Sequence, residues 1–192
     1  MTTSRLEAFS DGVLAIIITI MVLGIKIPEG SDWIDLKPLI PNAIGYILSF
    51  IYVGIYWNNH HHLMQMTKGV NGKILWANLH LLFWLSLLPL ATEWMGENKF
   101  EGNTIILYGI ILLMSAIAWQ ILATQLVKHK KNTVLKKVLE KDKKTLLSII
   151  IYAAGVVLGF IYPFAALAFY YGVAILWIIP DIRLEELNEL PE

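Results

Sequence analysis

The chain has 192 residues, 57% hydrophobic and only 16% charged, with seven tryptophans and eight tyrosines. That is too little polar surface for a soluble domain of this length, so the composition specifies a polytopic membrane protein. A formal charge of zero leaves no basic or acidic tail to meet nucleic acid, and zero cysteines exclude disulfides, thiolate metal sites and a cysteine nucleophile.

The first expected helix covers 5–26. Its apolar stretch from Leu6 to Ile25 would rise roughly 30 Å, the thickness of a bilayer core. Glu7 and Asp11 lie inside it and no small-residue cleavage site follows, so the segment is expected to be retained rather than removed as a signal peptide. A carboxylate facing lipid at a helix centre costs roughly 2.5–3.5 kcal/mol, so Asp11 must face protein or water. Past it, Val13 to Leu23 is apolar but for Thr19.

Pro28-Glu29-Gly30 stops this helix, and Trp33 in the following loop suits an interface anchor. Pro38 and Pro41 suit the opening of a second helix over 42–66, whose inner part turns polar at Asn58-Asn59-His60-His61-His62. Gly69 to Gly72 makes a turn. A third helix over 74–95 holds His80 and is expected to kink at Pro89. After a polar loop, 104–127 is the cleanest hydrophobic span. The segment 128–144 carries eight lysines and suits a topology determinant facing anionic lipid. The stretch 145–179 is too long for one span, and Tyr162-Pro163 divides it into helices over 145–161 and 164–179. The expectation is an all-α transmembrane domain over 1–180 with six helices, and a short cytoplasmic tail over 181–192.

Lysine and arginine placement orients the chain. With the N-terminus inside, Arg5, Lys68, Lys73, Arg183 and the eight lysines of 128–144 are cytoplasmic, against Lys26, Lys37 and Lys99 outside. Both termini are therefore expected in the cytoplasm of a cell with a multi-pass protein in its cell membrane.

Asp11, His61 and His80 each lie six or seven residues in from a basic residue on three different helices, which puts them at one depth, roughly 10 Å inside. Together with Asn58, Asn59 and Asn78 they would form either a structural polar knot or a proton or ion path. Three consecutive histidines stand about 100° apart on a helix and do not converge on one metal ion or haem without further ligands. Gly155-x-x-x-Gly159 suits close helix packing. No arrangement of catalytic groups stands out, so no enzyme is expected. Gly12, Ile16, Thr19 and Leu23 form one stripe at helical spacing. The stripe is either ordinary buried packing or, repeated around an axis, an apolar pore that gates by dewetting.

Arg5-x-x-x-Phe9-Ser10-Asp11, opening the first helix of a six-helix chain of this size, resembles the signature of the endolysosomal potassium channel family (transmembrane protein 175), and in particular its prokaryotic single-repeat members. The resemblance implies a homotetramer in which first helices line a central pore for monovalent cations, with no T-V-G-Y-G filter and no cofactor beyond the permeant potassium ion. It implies a constriction at Ile16, followed by Thr19 and Leu23. It also implies a polar network around Arg5, Phe9, Ser10 and Asp11, which agrees with the depth of His61 and His80. The reading is a potassium-over-sodium selective channel subunit without an arginine-rich voltage sensor. A proton-coupled transporter using Asp11 and the histidines is the alternative.

Overall fold

The computed structural model describes residues 2–67, 69–129, 135–136 and 143–178. Lys68, Arg183, most of the lysine run, the last residue of the 164–179 helix and the 181–192 tail lie outside the described residues. The described chain is all-helical. Helix α1 runs Thr3–Leu23, α2 Ile40–Gln65, α3 Gly72–Ser86, α4 Leu88–Glu97, α5 Gly102–Lys128, α6 Lys143–Gly159 and α7 Pro163–Ile178.

Local chemistry accounts for the boundaries. Asp35 in the 3₁₀ turn Trp33–Leu39 accepts the Asp32 N–H at 3.0 Å, and Pro41 occupies the first turn of α2. Asn71 caps α3 by accepting the Ile74 N–H at 3.0 Å. The segment expected as one kinked helix is two. Pro89 has no N–H to offer the Leu85 carbonyl, and Leu87 bonds back only three residues, to Trp84, at 3.2 Å. Proline ends α3 rather than bending it, and α3–α4 still make one pass over Gly72–Glu97. The passes Thr3–Leu23, Trp33–Gln65, Gly72–Glu97 and Gly102–Lys128 are long and apolar enough to cross a bilayer. Helices α6 and α7, with 17 and 16 residues, rise about 24–26 Å and pack as a tight hairpin. The six passes make a polytopic membrane protein.

Helix α5 is the central post, packed against α3, α4, α6 and α7, while α1 leans on α2, α3 and α4. Tyr170 of α7 fills the middle, and its carbonyl accepts the Tyr52 hydroxyl at 2.5 Å. Two glycines make room for that ring. A Cβ on Gly109 would sit 1.8 Å from the Tyr170 hydroxyl, and one on Gly155 would sit 2.6 Å from its ring. Gly159 likewise admits Ile106, so the Gly155-x-x-x-Gly159 pair serves contacts inside the protomer. Nearby, Ser49 bridges Thr92 at 2.6 Å and Tyr108 at 2.9 Å, which satisfies three buried hydroxyls. At the opposite end of α1 from Thr3, Lys26 pairs with Glu97 at 2.5 Å, and that carboxylate raises Lys26 above the ordinary lysine value. On the lysine side the pair's contribution is present at neutral pH and is lost as pH rises into strong alkali and Lys26 deprotonates.

Helix-interior Gly→Ala is worth up to about 1 kcal/mol in the favourable direction by propensity alone. At Gly109 and Gly155 overpacking against Tyr170 reverses that sign, with an expected cost of about 1–3 kcal/mol each. Gly172→Ala, where nothing lies within 4 Å of the new Cβ, should be neutral or stabilising. Thermal unfolding of the three variants in detergent separates these outcomes.

Candidate pore-lining helix and its polar anchor

Hydropathy alone does not set the rotation of α1, because residues on every side of it are apolar. Polar contacts from Thr3, Glu7, Ser10 and Asp11 do. Ser10 is fully buried, and its hydroxyl donates to the Leu6 carbonyl at 2.9 Å. Its only proton is then used, so it accepts from the Asn78 amide of α3 at 3.0 Å. That places the Asn78 carbonyl 2.7 Å from His60 Nε2 of α2, which must carry the proton and donate. The line Leu6–Ser10–Asn78–His60 ties three helices through the core, and His60 Nδ1 is left without a partner among the described residues.

The second set runs between α1 and α2. Gln65 lies 2.7 Å from His61 Nε2 and donates to it, leaving His61 Nδ1–H to donate to Glu7 at 2.6 Å. One turn deeper, the Trp57 indole donates to Asp11 at 3.0 Å. Glu7 and Asp11 are four apart, as are Trp57 and His61, so two antiparallel helices meet in a two-rung ladder. Trp57 also stacks over the His61 ring, with centroids 6.3 Å apart. The ladder continues at Thr3, whose hydroxyl donates to the Thr67 carbonyl at 2.9 Å and accepts the Gly69 N–H at 3.0 Å.

With that face pinned, Leu6, Ser10, Leu14, Ile17 and Met21 are buried. The opposite arc is not. Arg5, Phe9, Gly12, Ile16, Thr19 and Leu23 are all exposed in the protomer, Ile16 at 57% and Leu23 at 81%. Thr19 donates to its own Ile16 carbonyl at 2.9 Å, so the hydroxyl proton is taken and the oxygen lone pairs are left to accept. The cavity inside the protomer among Tyr52, Asn59, Trp119, Ser148, Tyr152 and Trp177 is about 30 Å³, room for a water.

The expected network is therefore assembled differently. The structure does not bring Asp11, His61 and His80 together. Asp11 meets Trp57, His61 meets Glu7, and His80 accepts from Trp84 of its own helix at 2.9 Å. Equal depth gave height but not direction around each helix. Arg5 and Phe9 point outward and have no side-chain hydrogen bond or ion pair among the described residues. Glu7, Trp57 and His60 are additions, and the i, i+4 spacing Glu7–Asp11 against Trp57–His61 was the available signal for two of them. Among the described residues no three histidine or carboxylate groups cluster as metal ligands.

Comparison with known proteins bears on this geometry. Residues 5–89, which span α1 to α3 and open α4, match the family described as endosomal/lysosomal potassium channel TMEM175. Over 187 residues the chain is 58% identical to a potassium channel of Chryseobacterium sp. strain P1-3, covering 97% of each protein. The chain belongs to the TMEM175 family.

Human endosomal/lysosomal proton channel TMEM175 shares 33% identity over 106 residues, 48% of this chain and 21% of the human one. The fold matches the crystal structure of a lysosomal potassium-selective channel TMEM175 homologue from Chamaesiphon minutus, with a TM-score of 0.75 at 24% identity, over 92% of this chain and 96% of that one. These relatives are membrane channels, not enzymes. In this TMEM175-family chain the Arg5-x-x-x-Phe9-Ser10-Asp11 motif divides by direction: Ser10 into the core, Asp11 toward α2, Arg5 and Phe9 outward.

Ser10→Ala deprives the buried Asn78 amide of its acceptor, at an expected cost of about 1–3 kcal/mol. Asn78→Leu should cost more, because it leaves the buried His60 ring with no partner at Nε2, where Nδ1 already has none among the described residues. Thermal unfolding in detergent reads both, and equal or negligible losses would remove the anchor from the account.

Proposed function

We propose that copies of this chain assemble, as tetramers, around the exposed arc of α1 to form a potassium-over-sodium selective channel of the cell membrane, with both termini cytoplasmic. One observation carries the reading: α1 is fastened to its own protomer along one face and presents Gly12, Ile16, Thr19 and Leu23 as an unpartnered stripe on the other. The naming of the Chryseobacterium relative as a potassium channel supports the permeant ion.

Rings of Ile16 and Leu23 make dry constrictions that a hydrated cation crosses only when the helices widen. Potassium sheds water more readily than sodium, and Thr19 between the two rings offers acceptor lone pairs with their proton already engaged. Such a site favours potassium more weakly than a cage of carbonyls. Arg5 and Phe9, on the same outward arc, stand at its cytoplasmic mouth.

The test is potassium and sodium flux into liposomes carrying the purified protein. Ile16→Asn should wet the ring, raise flux and bring the two cations several-fold closer in permeability. An unchanged ratio would remove Ile16 from the filter.

Proton conduction is a second reading, favoured by the Glu7–His61–Gln65 chain beside this mouth and by the naming of the human relative as a proton channel. It predicts that Glu7→Gln lowers proton flux in the same liposomes and leaves potassium flux intact.

A further inference from the structure

A groove of about 730 Å³ opens between α3 and α5 at the lysine-rich end of the molecule, away from the α1 stripe. Lys73, Trp76, Ala77 and His80 line it from α3, and Ile121 and Gln125 from α5. On each helix these positions fall on one stripe, at i, i+3, i+4 and i+7 from Lys73 and at i, i+4 from Ile121. Lys128, three residues beyond Gln125, continues the second stripe toward the same end.

Four properties identify what the groove takes. Among the described residues no carboxylate lines it. Lys73 on the groove wall and Lys128, one turn beyond Gln125, are exposed and form no ion pair among the described residues. Trp76 is 75% exposed one turn deeper, the depth at which an indole straddles headgroup and acyl chain. Deeper still the wall is Ala77 and Ile121, with His80 turned to Trp84. Cation, indole and hydrocarbon wall follow one another in the order that an inner-leaflet lipid presents phosphate, glycerol and acyl chain.

We infer that this groove binds an anionic phospholipid, with the headgroup phosphate between Lys73 and Lys128 and the acyl chain along Ala77 and Ile121. Basic pockets between membrane helices at the cytoplasmic face take such headgroups, and each lysine near the surface favours them about fivefold. A second copy of the chain is the competing occupant, and the charge argues against it: a second copy would have to bring a carboxylate to the lysines, whereas a lipid brings its anionic phosphate by itself. The inference rests on the membrane location and on the cytoplasmic placement of the lysine-rich end proposed above, and stands whether or not α1 conducts.

Native mass spectrometry of the delipidated oligomer, titrated with phosphatidylglycerol or with phosphatidylcholine, is the test. The wild type should retain phosphatidylglycerol preferentially, and the preference should fall about fivefold for each of Lys73→Gln and Lys128→Gln while Lys73→Arg keeps it. Equal retention of the two lipids, or a preference untouched by either substitution, overturns the assignment. Loss of the oligomer in Lys73→Gln also overturns it and makes the groove a subunit contact. A photoactivatable phosphatidylglycerol on the unmodified protein gives a reading independent of variant folding: labelling should fall on 71–80 and 121–128, and labelling confined elsewhere contradicts the site.

Discussion

The hydrogen bond from Asn78 to Ser10 decides what the rest of the molecule can do. In a hydrocarbon interior an unmade hydrogen bond costs far more than a misplaced methyl group, so a single buried hydroxyl outweighs the apolar residues on either side of it. Turning α1 by one residue, about 100°, would expose Ser10 and strand the Asn78 amide, whose carbonyl is already taken by the His60 Nε2–H. It would also break both rungs to α2. The helix is thereby locked at one rotation, and that rotation sends Ile16 and Leu23 away from the protomer.

The carboxylates follow the same logic at the N-terminal end of α1. Glu7 and Asp11 lie within a segment long enough to span the bilayer, and each has a donor from α2. An indole suits Asp11 well because it donates one hydrogen bond and offers no charge, so it adds no second ion to desolvate. Gln65 in turn sets which nitrogen of His61 holds the proton. The polar contacts are local and short, and they leave the outward arc of α1 apolar past Asp11 except for Thr19.

Much of this was readable from residue order. Span length, the split at Tyr162-Pro163 and a break at the proline of the third pass all follow from helix rise and proline's missing N–H. The stripe Gly12–Ile16–Thr19–Leu23 was readable as a stripe, but not as an exposed one, because α1 is apolar on its buried side too. Partner choice was the least legible. Depth matching grouped Asp11, His61 and His80 by height, whereas contact depends on rotation, and rotation is fixed by long-range pairs such as Ser10–Asn78, 68 residues apart. His80 illustrates the point: it accepts from Trp84, four residues on in its own helix. Only a search for matched i, i+4 pairs on two helices would have found Glu7 and Trp57 together.

The natural chain has no cysteine, so each introduced thiol is the only one present. Single cysteines at Ile16, Thr19 and Leu23, compared with Leu14 and Ile17, allow block of potassium current by a small charged thiol reagent to be mapped around α1. The account predicts block at the first three positions, none at the two buried ones, and disulfides between protomers at Leu23. Block at Leu14 or Ile17, or at none of the five, would contradict a pore along the outward face of α1.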